Sequence, residues 1–322
     1  MPKIQSILFN RRFIFSLALG VVLSCGLYGC LYARGGHKDA WPNASGVVVP
    51  GKGYTIYAAG DVADCRKDNP PISAAAKTAA LIASRLANDP ESAALVLGDS
   101  TYPVGRMEEF SNCYQPTWGQ FKARTYPSPG NHEYYTPGAI GYFGYFGEAA
   151  RQGGRSYYSL ELGKWHVISL DSNLKSDEYT AQLAWLKADL DQRKTLCTLA
   201  FWHHPVFSSG GHGNDDRMKD AWRMLHAANA DVVLSGHDHD YERFAPQDAD
   251  GRRDEARGIR EFVVGTGGAQ LTSFGLRKSN SAVSDNRAHG VLRMVLKETG
   301  YEWEFLPVSG GFVSDRGAAL CH

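Results

Sequence analysis

This chain carries no excess charge, no basic run and no Cys-x-x-Cys pair. Lys plus Arg number 34 and Asp plus Glu number 34, so the formal net charge is zero. A nucleic-acid partner would call for a basic stripe with interleaved aromatics, and there is none. An anionic substrate must therefore be met by metals and local donors rather than by a global positive field. Without a Cys-x-x-Cys pair a thiol redox role has no motif to rest on. Internal repeats and low-complexity tracts are absent too, which leaves an ordinary globular body.

What is present suits a large core. The chain has 322 residues, 43 % of them hydrophobic, with 16 tyrosines. That is long for one domain but within range for an α/β enzyme. The N-terminus reads as a targeting segment. Lys3, Arg11 and Arg12 precede an apolar run that starts at Phe13 and ends near Leu31. This is the order of a secretory signal or signal anchor, close to the minimum length of a membrane span. Cys25 and Cys30 each end an imperfect lipoprotein cleavage box, with Leu23 and Tyr28 as the awkward residues. Residues 1–31 are therefore read as a signal, lipoprotein signal or anchor, 32–52 as a Gly- and Pro-containing linker, and 53–322 as the catalytic domain. The expected location is extracytoplasmic: secreted, periplasmic or held by the N-terminal segment, which is the one expected membrane contact. Oligomeric state is left open.

Outside the cytoplasm cysteines tend to pair. The body holds Cys65, Cys113, Cys197 and Cys321, which allow three connectivities. If the loops after Asp61 and Asp99 adjoin, Cys65–Cys113 is the natural pair, leaving Cys197–Cys321. Free buried thiols are the alternative.

The most informative pattern is repeated punctuation. Val232-Val233-Leu234-Ser235-Gly236 runs into His237-Asp238-His239, and strand alternation would point both imidazoles the same way. Four further segments end similarly. Thr55 to Gly60 leads to Asp61, Ala93 to Gly98 leads to Asp99 with Tyr102 three residues on, Pro129-Gly130 leads to Asn131-His132-Glu133, and Thr198 to Trp202 leads to His203-His204. Taken singly each is an ordinary turn. Taken together they describe one site at the carboxyl ends of several strands, where α/β sheets bind ligands.

Between these segments, residues 73–88, 178–193 and 218–230 read as helices and 116–122 as a short amphipathic segment. Residues 156–162 and 165–170 form a hairpin, and 141–147 is an aromatic-glycine loop whose rings mostly pack. Segments 259–264, 289–296 and 301–306 add β structure. The fold class is α/β (α+β), two packed mixed sheets with helices outside. Asp171, after one strand, is read as a turn or cap residue.

Asp, Asn and His are donors for hard or borderline cations, and no Cys falls in the motif set, which argues against thiolate zinc or iron–sulfur chemistry. Asp61, Asp99, Tyr102, Asn131, His203, His237 and His239 are too many donors for one ion. Shared between two, with Asp99 bridging, they give each ion four. Two metals about 3.5–4 Å apart clamp a phosphoryl oxygen and activate a hydroxide for in-line attack.

Gly60-Asp61, Gly98-Asp99-Ser100-Thr101-Tyr102, Gly130-Asn131-His132-Glu133, His203-His204-Pro205 and Gly236-His237-Asp238-His239 resemble the motif series of calcineurin-like metallophosphoesterases. Tyr102, with Tyr241-Glu242-Arg243 after the last motif, makes the chain most similar to the purple acid phosphatase branch. The resemblance runs from about Tyr54 to Gly268. Many superfamily members place a ligating His two residues after the first Asp, where this chain has Ala63. The purple branch lacks that His as well and supplies the tyrosine. The resemblance implies a four-layer sandwich. It assigns Asp61, Asp99, Tyr102 and His239 to a first ion, and Asp99, Asn131, His203 and His237 to a second. A phenolate donor implies Fe(III) at the first; Fe, Zn or Mn would fill the second. His132 would contact the phosphate and His212 would protonate the leaving alcohol. His204 is read as structural or as a support behind the ligands, and His37, His166, His226, His289 and His322 lie outside the motifs. Glu133, Asp238 and Asp240 are read as partners that orient ligating imidazoles. The implied activity is hydrolysis of a small phosphomonoester. The alternatives are a phosphodiesterase or nucleotidase of the same superfamily, or a non-catalytic binding protein on the same fold.

Overall fold

Strand alternation and burial build this architecture. The computed structural model describes residues 46–66, 69–192, 195–310 and 314–322. Segment 1–31, most of the 32–52 linker and His37 lie outside the described residues. One sheet contains β1 (Gly53–Ala59), β3 (Ser92–Leu97), β5 (Thr125–Ser128), β13 (Gly290–Lys297), β14 (Gly300–Pro307) and β15 (Arg316–Leu320), in the order β15-β14-β13-β1-β3-β5. The other contains β6 (Tyr158–Leu162), β7 (Trp165–Ser169), β8 (Cys197–Phe201), β9 (Val232–Ser235), β10 (Tyr241–Phe244), β11 (Arg260–Val264) and β12 (Ser281–Asp285), in the order β12-β10-β11-β9-β8-β7-β6. A two-stranded parallel ladder joins β2 (Ala63–Asp64) to β4 (Thr101–Tyr102).

Both sheets are mixed. β1, β3 and β5 run parallel, as do β7, β8, β9 and β11, while the flanking strands are antiparallel. The parallel strands are covered on both faces, which is why they read as continuous apolar runs. In β8, Leu199 and Phe201 enter the core between the sheets, whereas Ala200 faces outward. β9 and β11 repeat this, with Val232, Leu234, Phe262 and Val264 inward and Val233 and Val263 outward. The outward set packs under Leu186 of helix 176–192 and Trp222 and Leu225 of helix 219–227. Helix 74–88 starts at Ser73, whose side chain accepts from Ala76 N at 3.1 Å, and it buries Ala75, Ala79, Ile82 and Leu86. The expected pair of sheets between helices is what forms.

One local reading needs correction. Residues 140–146 form a helix, not a loop. Tyr145 stacks on Phe110 at 5.0 Å and Phe146 meets Tyr114 edge-on at 5.5 Å. That packing outweighs the poor helix propensity of glycine. Gly141 is itself required, because a Cβ there would stand 2.2 Å from Gly105 O. The short strands β5, β10, β12 and β15 carry no periodic signal long enough to read from the sequence.

Disulfides join Cys65 to Cys113 and Cys197 to Cys321. The condition set for that pairing holds: the β2–β4 ladder places Ala63 beside Thr101 and Asp64 beside Tyr102, so the Asp61 and Asp99 loops do adjoin. Among the described residues no helix is long and apolar enough to cross a membrane.

Candidate metal centre

Each strand-end donor leaves its ladder where the sheets present their carboxyl ends. Asp61 is two residues past β1, Asp99 two past β3, Asn131 three past β5, His203 two past β8 and His237 two past β9. Asp61 (φ 60°), Asp99 (φ 47°) and His237 (φ 70°) adopt left-handed backbone that L-residues avoid. Each costs on the order of 1 kcal/mol or more, a strain typical of functional sites.

The donors gather into two groups of four. Around the Tyr102 hydroxyl lie Asp61 Oδ1 at 2.7 Å, Asp99 Oδ2 at 3.1 Å and His239 Nε2 at 3.1 Å. Around His203 Nε2 lie Asn131 Oδ1 at 3.1 Å, His237 Nδ1 at 3.2 Å and Asp99 Oδ2 at 3.3 Å. Asp99 Oδ2 belongs to both groups. The remaining ring nitrogens are tied down from behind. His203 Nδ1 donates to Leu97 O and His239 Nδ1 to Gln270 O, each at 2.8 Å. A carbonyl only accepts, so Nδ1 keeps its proton in each ring, and Nε2 is the nitrogen turned inward, free to ligate a cation once its own proton is displaced.

Two expectations fail here for backbone reasons. The rings of His237 and His239 do not point together by strand alternation. The strand ends at Ser235, and tight turns follow, with Asp238 N donating to Gly236 O and Asp240 N to Asp238 O. The two rings therefore reach different groups. The carboxylates expected to orient imidazoles do other work. Glu133 accepts the backbone amides of Gly130 (2.7 Å), Ser100 (2.8 Å) and Asp99 (3.0 Å), binding two loops together. Burial, with Asp99 adding to it, pushes its pKa up to about 8. Asp238 holds His212, while the buried Asp240 carboxyl has no hydrogen-bond partner among the described residues and is pushed up to about 9 by burial, Asp238 and Glu242. Backbone carbonyls take over the orienting role.

The electrostatics call for cations. Asp61 and Asp99 are fully buried, and burial opposes their charge. His239 beside Asp61 and His203 beside Asp99 nevertheless hold both carboxyls below the usual range. Burial works against protonated His203 and His239 too, yet Asp99 and Asp61 hold them at about 9. His237 is pushed down to about 3 by burial and by His203. Burial, then Asp61 and Asp99, drives the Tyr102 phenol far up, so without added positive charge it stays protonated. Protonated imidazoles thus supply the positive charge that hard cations would supply. The donor set, two carboxylates with Asn, Tyr and three His, suits such ions.

The centre opens into a cleft of ≈ 480 Å³. His132 and His212 line it. His132 donates from Nδ1 to Pro103 O at 2.6 Å, and its ring lies 4.2 Å from that of Tyr102. His212 lies 4.2 Å from the His237 ring, and its Nδ1 is 3.0 Å from Asp238 Oδ1, a bond that raises its pKa. The buried His204 touches Ser172 and Arg217, and burial with His203 drives its pKa far down. His166, His226 and His322 pair with Asp189, Asp254 and Asp231 instead, and His289 with the Ala269 carbonyl. Asp171 accepts from Tyr134 at 2.5 Å and from Asn173 N, a turn role outside both donor groups. Three cleft residues had no signal in the sequence: Arg66, Tyr135 and Arg217. A third cluster, Cys197, Asp231 and Cys321, has both sulfurs in a disulfide and offers no thiolate.

A model of the calcineurin-like phosphoesterase family matches residues 35–241. Purple acid phosphatase 21 of Arabidopsis thaliana is 28 % identical over 250 residues, covering 66 % of this chain and 57 % of its own length. Purple acid phosphatase 18 of the same plant is 38 % identical over 93 residues, 27 % of this chain and 21 % of its own. The chain thus spans about half the length, or less, of the curated relatives it matches. A purple acid phosphatase from yellow lupin seeds superposes with a TM-score of 0.64 at 20 % identity, over 83 % of this chain and 53 % of that one. GAP50, the anchor in the inner membrane complex of Plasmodium, superposes with a TM-score of 0.66 at 15 % identity, over 84 % and 90 %. These two likenesses concern fold. The family match covers most of the chain and every strand-end motif, so this chain belongs to the calcineurin-like phosphoesterases.

Proposed function

We propose that the chain is an exported phosphatase that hydrolyses phosphomonoesters with two metal ions. One observation carries the reading: a single oxygen, Asp99 Oδ2, is common to both groups of donors. Asp61, Asp99, Tyr102 and His239 hold the first ion, and Asp99, Asn131, His203 and His237 the second. The phenolic oxygen is a hard anionic donor once deprotonated, which favours Fe(III) at the first place; Fe, Zn or Mn fits the second. When bound, such ions neutralise phosphoryl charge and lower the pKa of water.

The chain's own groups do the rest. His132 is oriented by Nδ1, which donates to Pro103 O, and its Nε2 lies 3.8 Å from Asp99 Oδ2, placed to donate to a phosphoryl oxygen when the ring carries its second proton. His212 has Nδ1 committed to Asp238, whose carboxylate favours the protonated ring, so Nε2 is the position from which a proton would pass to the departing alkoxide. The amides gathered by Glu133 hold Asp99 and Asn131 in register. Export is supported by the charged-then-apolar N-terminus and by the two disulfides.

The rival of another class is a binding protein. It draws support from the fold shared with a protein described as an anchor. Metal content and visible spectrum of purified protein, with rates on an aryl monoester and an aryl diester, separate the readings. We expect two metals per chain, faster monoester hydrolysis, and a phenolate charge-transfer colour that Tyr102→Phe loses. A colourless active protein containing only Zn or Mn would remove iron and leave the phosphatase standing. Faster diester hydrolysis would favour the phosphodiesterase alternative. Absence of both metal and hydrolysis would favour the binding protein.

A further inference from the structure

The cleft holds two arginines that metal binding does not use. Arg217 is pinned at three points. Its Nε donates to Asp215 Oδ2 at 2.8 Å, and its Nη1 reaches His204 Nε2 at 3.2 Å and Ser172 O at 3.4 Å. A guanidinium only donates, so His204 Nε2 must be bare and its proton sits on Nδ1, which donates to Ser172 Oγ at 2.7 Å. His204, 1 % exposed, is thereby committed to orienting Arg217. Asp215 is anchored in turn by its amide, which donates to Pro205 O at 3.1 Å. Holding a long side chain this way forfeits much of its rotamer entropy before any ligand arrives. Nη2 is left without a partner among the described residues.

Arg66 shows the same construction beside the other group of donors. Its Nε and Nη2 each reach a different oxygen of Asp64 at 2.8 Å, and its guanidinium carbon lies 5.7 Å from the centre of the Tyr102 ring. Its Nη1 makes no hydrogen bond among the described residues. Arg66 therefore stands on the Tyr102 side of the cleft and Arg217 on the His204–His237 side. Asp64 and Asp215 offset the net charge. They do not occupy the outward Nη groups, which remain directed donors with the geometry for phosphate or carboxylate oxygens. A cleft of ≈ 480 Å³ is in the size range of whole small-molecule sites and holds more than one phosphoryl group.

We propose that this site selects phosphate esters carrying a second anionic group, a further phosphate or a carboxylate, which Arg217 and Arg66 grip while the metal centre takes the phosphoryl group to be transferred. Arg217 and Arg66 are then specificity-determining residues, and His204 with Ser172 positions the first of them. This rests on the phosphatase reading, so the test has a readout apart from turnover.

Metal-loaded protein is titrated calorimetrically with methylphosphonate, phosphonoacetate and methylenebisphosphonate, beside Arg217→Gln, Arg217→Lys and Arg66→Gln variants whose metal content is checked. The wild type should bind a two-anion probe at least about tenfold more tightly than methylphosphonate. Arg217→Gln should cut that margin by roughly 10- to 100-fold with two metals retained. Arg217→Lys should restore only part of it, because an ammonium has no planar group to be held by Asp215, His204 and Ser172 while a further N–H faces the ligand. Arg66→Gln should reduce it as well. Equal affinity for all three probes in the wild type would overturn the proposal, as would an equal loss on all three in Arg217→Gln. A margin that persists in a protein hydrolysing no phosphate ester would sink the phosphatase reading and leave the two-anion site standing.

Discussion

Replacing Gly130 by alanine should disable the centre without touching any proposed donor. Its backbone (φ −102°, ψ −175°) is extended and open to any residue, so the effect is purely steric. An added Cβ would lie 2.1 Å from Asp99 Oδ1, 2.3 Å from Asp99 N and 2.8 Å from Asp99 Cγ. Relieving the worst contact takes a displacement of roughly 1 Å, the scale of misplacement that costs ~10²-fold in rate. Asp99 has no cheap retreat. Its amide donates to Glu133 at 3.0 Å, its carbonyl accepts from Val62 N at 2.9 Å, and its Oδ1 accepts from His132 N at 2.9 Å. Overpacking of this kind costs about 1–3 kcal/mol, and a buried amide left unpaired adds about 1–3. The expected result is a loss of several kcal/mol in urea unfolding, with bound metal reduced and nitrophenyl phosphate hydrolysis down ~10²-fold. Gly211→Ala serves as control: the one described atom within 4 Å of its added Cβ is Ser273 O, at an ordinary 3.8 Å, and the change should stay within about 0.5 kcal/mol. A Gly130→Ala protein with two metals and wild-type rates would refute the claim that Gly130 is there to admit Asp99.

His212→Ala should keep both metals and slow alkyl phosphates far more than nitrophenyl phosphate, by ~10²–10⁴-fold on the former, since a poor leaving group needs its proton. Equal losses on both substrates would assign His212 to phosphate binding, and no loss would leave it a solvent-facing residue. Away from the centre, Asp231 is buried and its pKa is pushed up by burial to about 7, although it accepts from Thr198 N and His322 N. Its folded pKa lies above the unfolded value, so the folded state holds the extra proton between about pH 4 and pH 7. Stability should therefore fall as pH rises through that window, by at most about 4 kcal/mol. Asp231→Asn should flatten the fall in denaturant titrations, and an unchanged slope would mean that the carboxyl is solvated.

That seven candidate donors would gather at one place was legible in the sequence because of how strands end. An apolar parallel strand must stop at the edge of its sheet, and the next polar residue is left at the crevice. Thr55 to Asp61, Ala93 to Asp99 and Thr198 to His203 declare this locally, and the order of such segments is enough to nominate seven donors and two mixed sheets. The helical segment 73–88 and the hairpin turn at Gly163-Lys164 are equally local signals.

What only the tertiary structure decided depends on contacts between distant segments. The left-handed turn at His237 sends its ring to His203 rather than alongside that of His239, a direction no alternation rule contains. Glu133 is spent on three amides because Asp99, Ser100 and Gly130 meet there, which depends on β3 pairing with β5. Helix 140–146 exists because Phe110 and Tyr114 supply a surface for its rings. Arg66 and Arg217, 151 positions apart in sequence, line one cleft because β1 and β8 belong to sheets packed face to face with their carboxyl ends on the same side. Sequence determines which residues arrive at a strand end; backbone handedness and the pairing of remote loops determine where their side chains point.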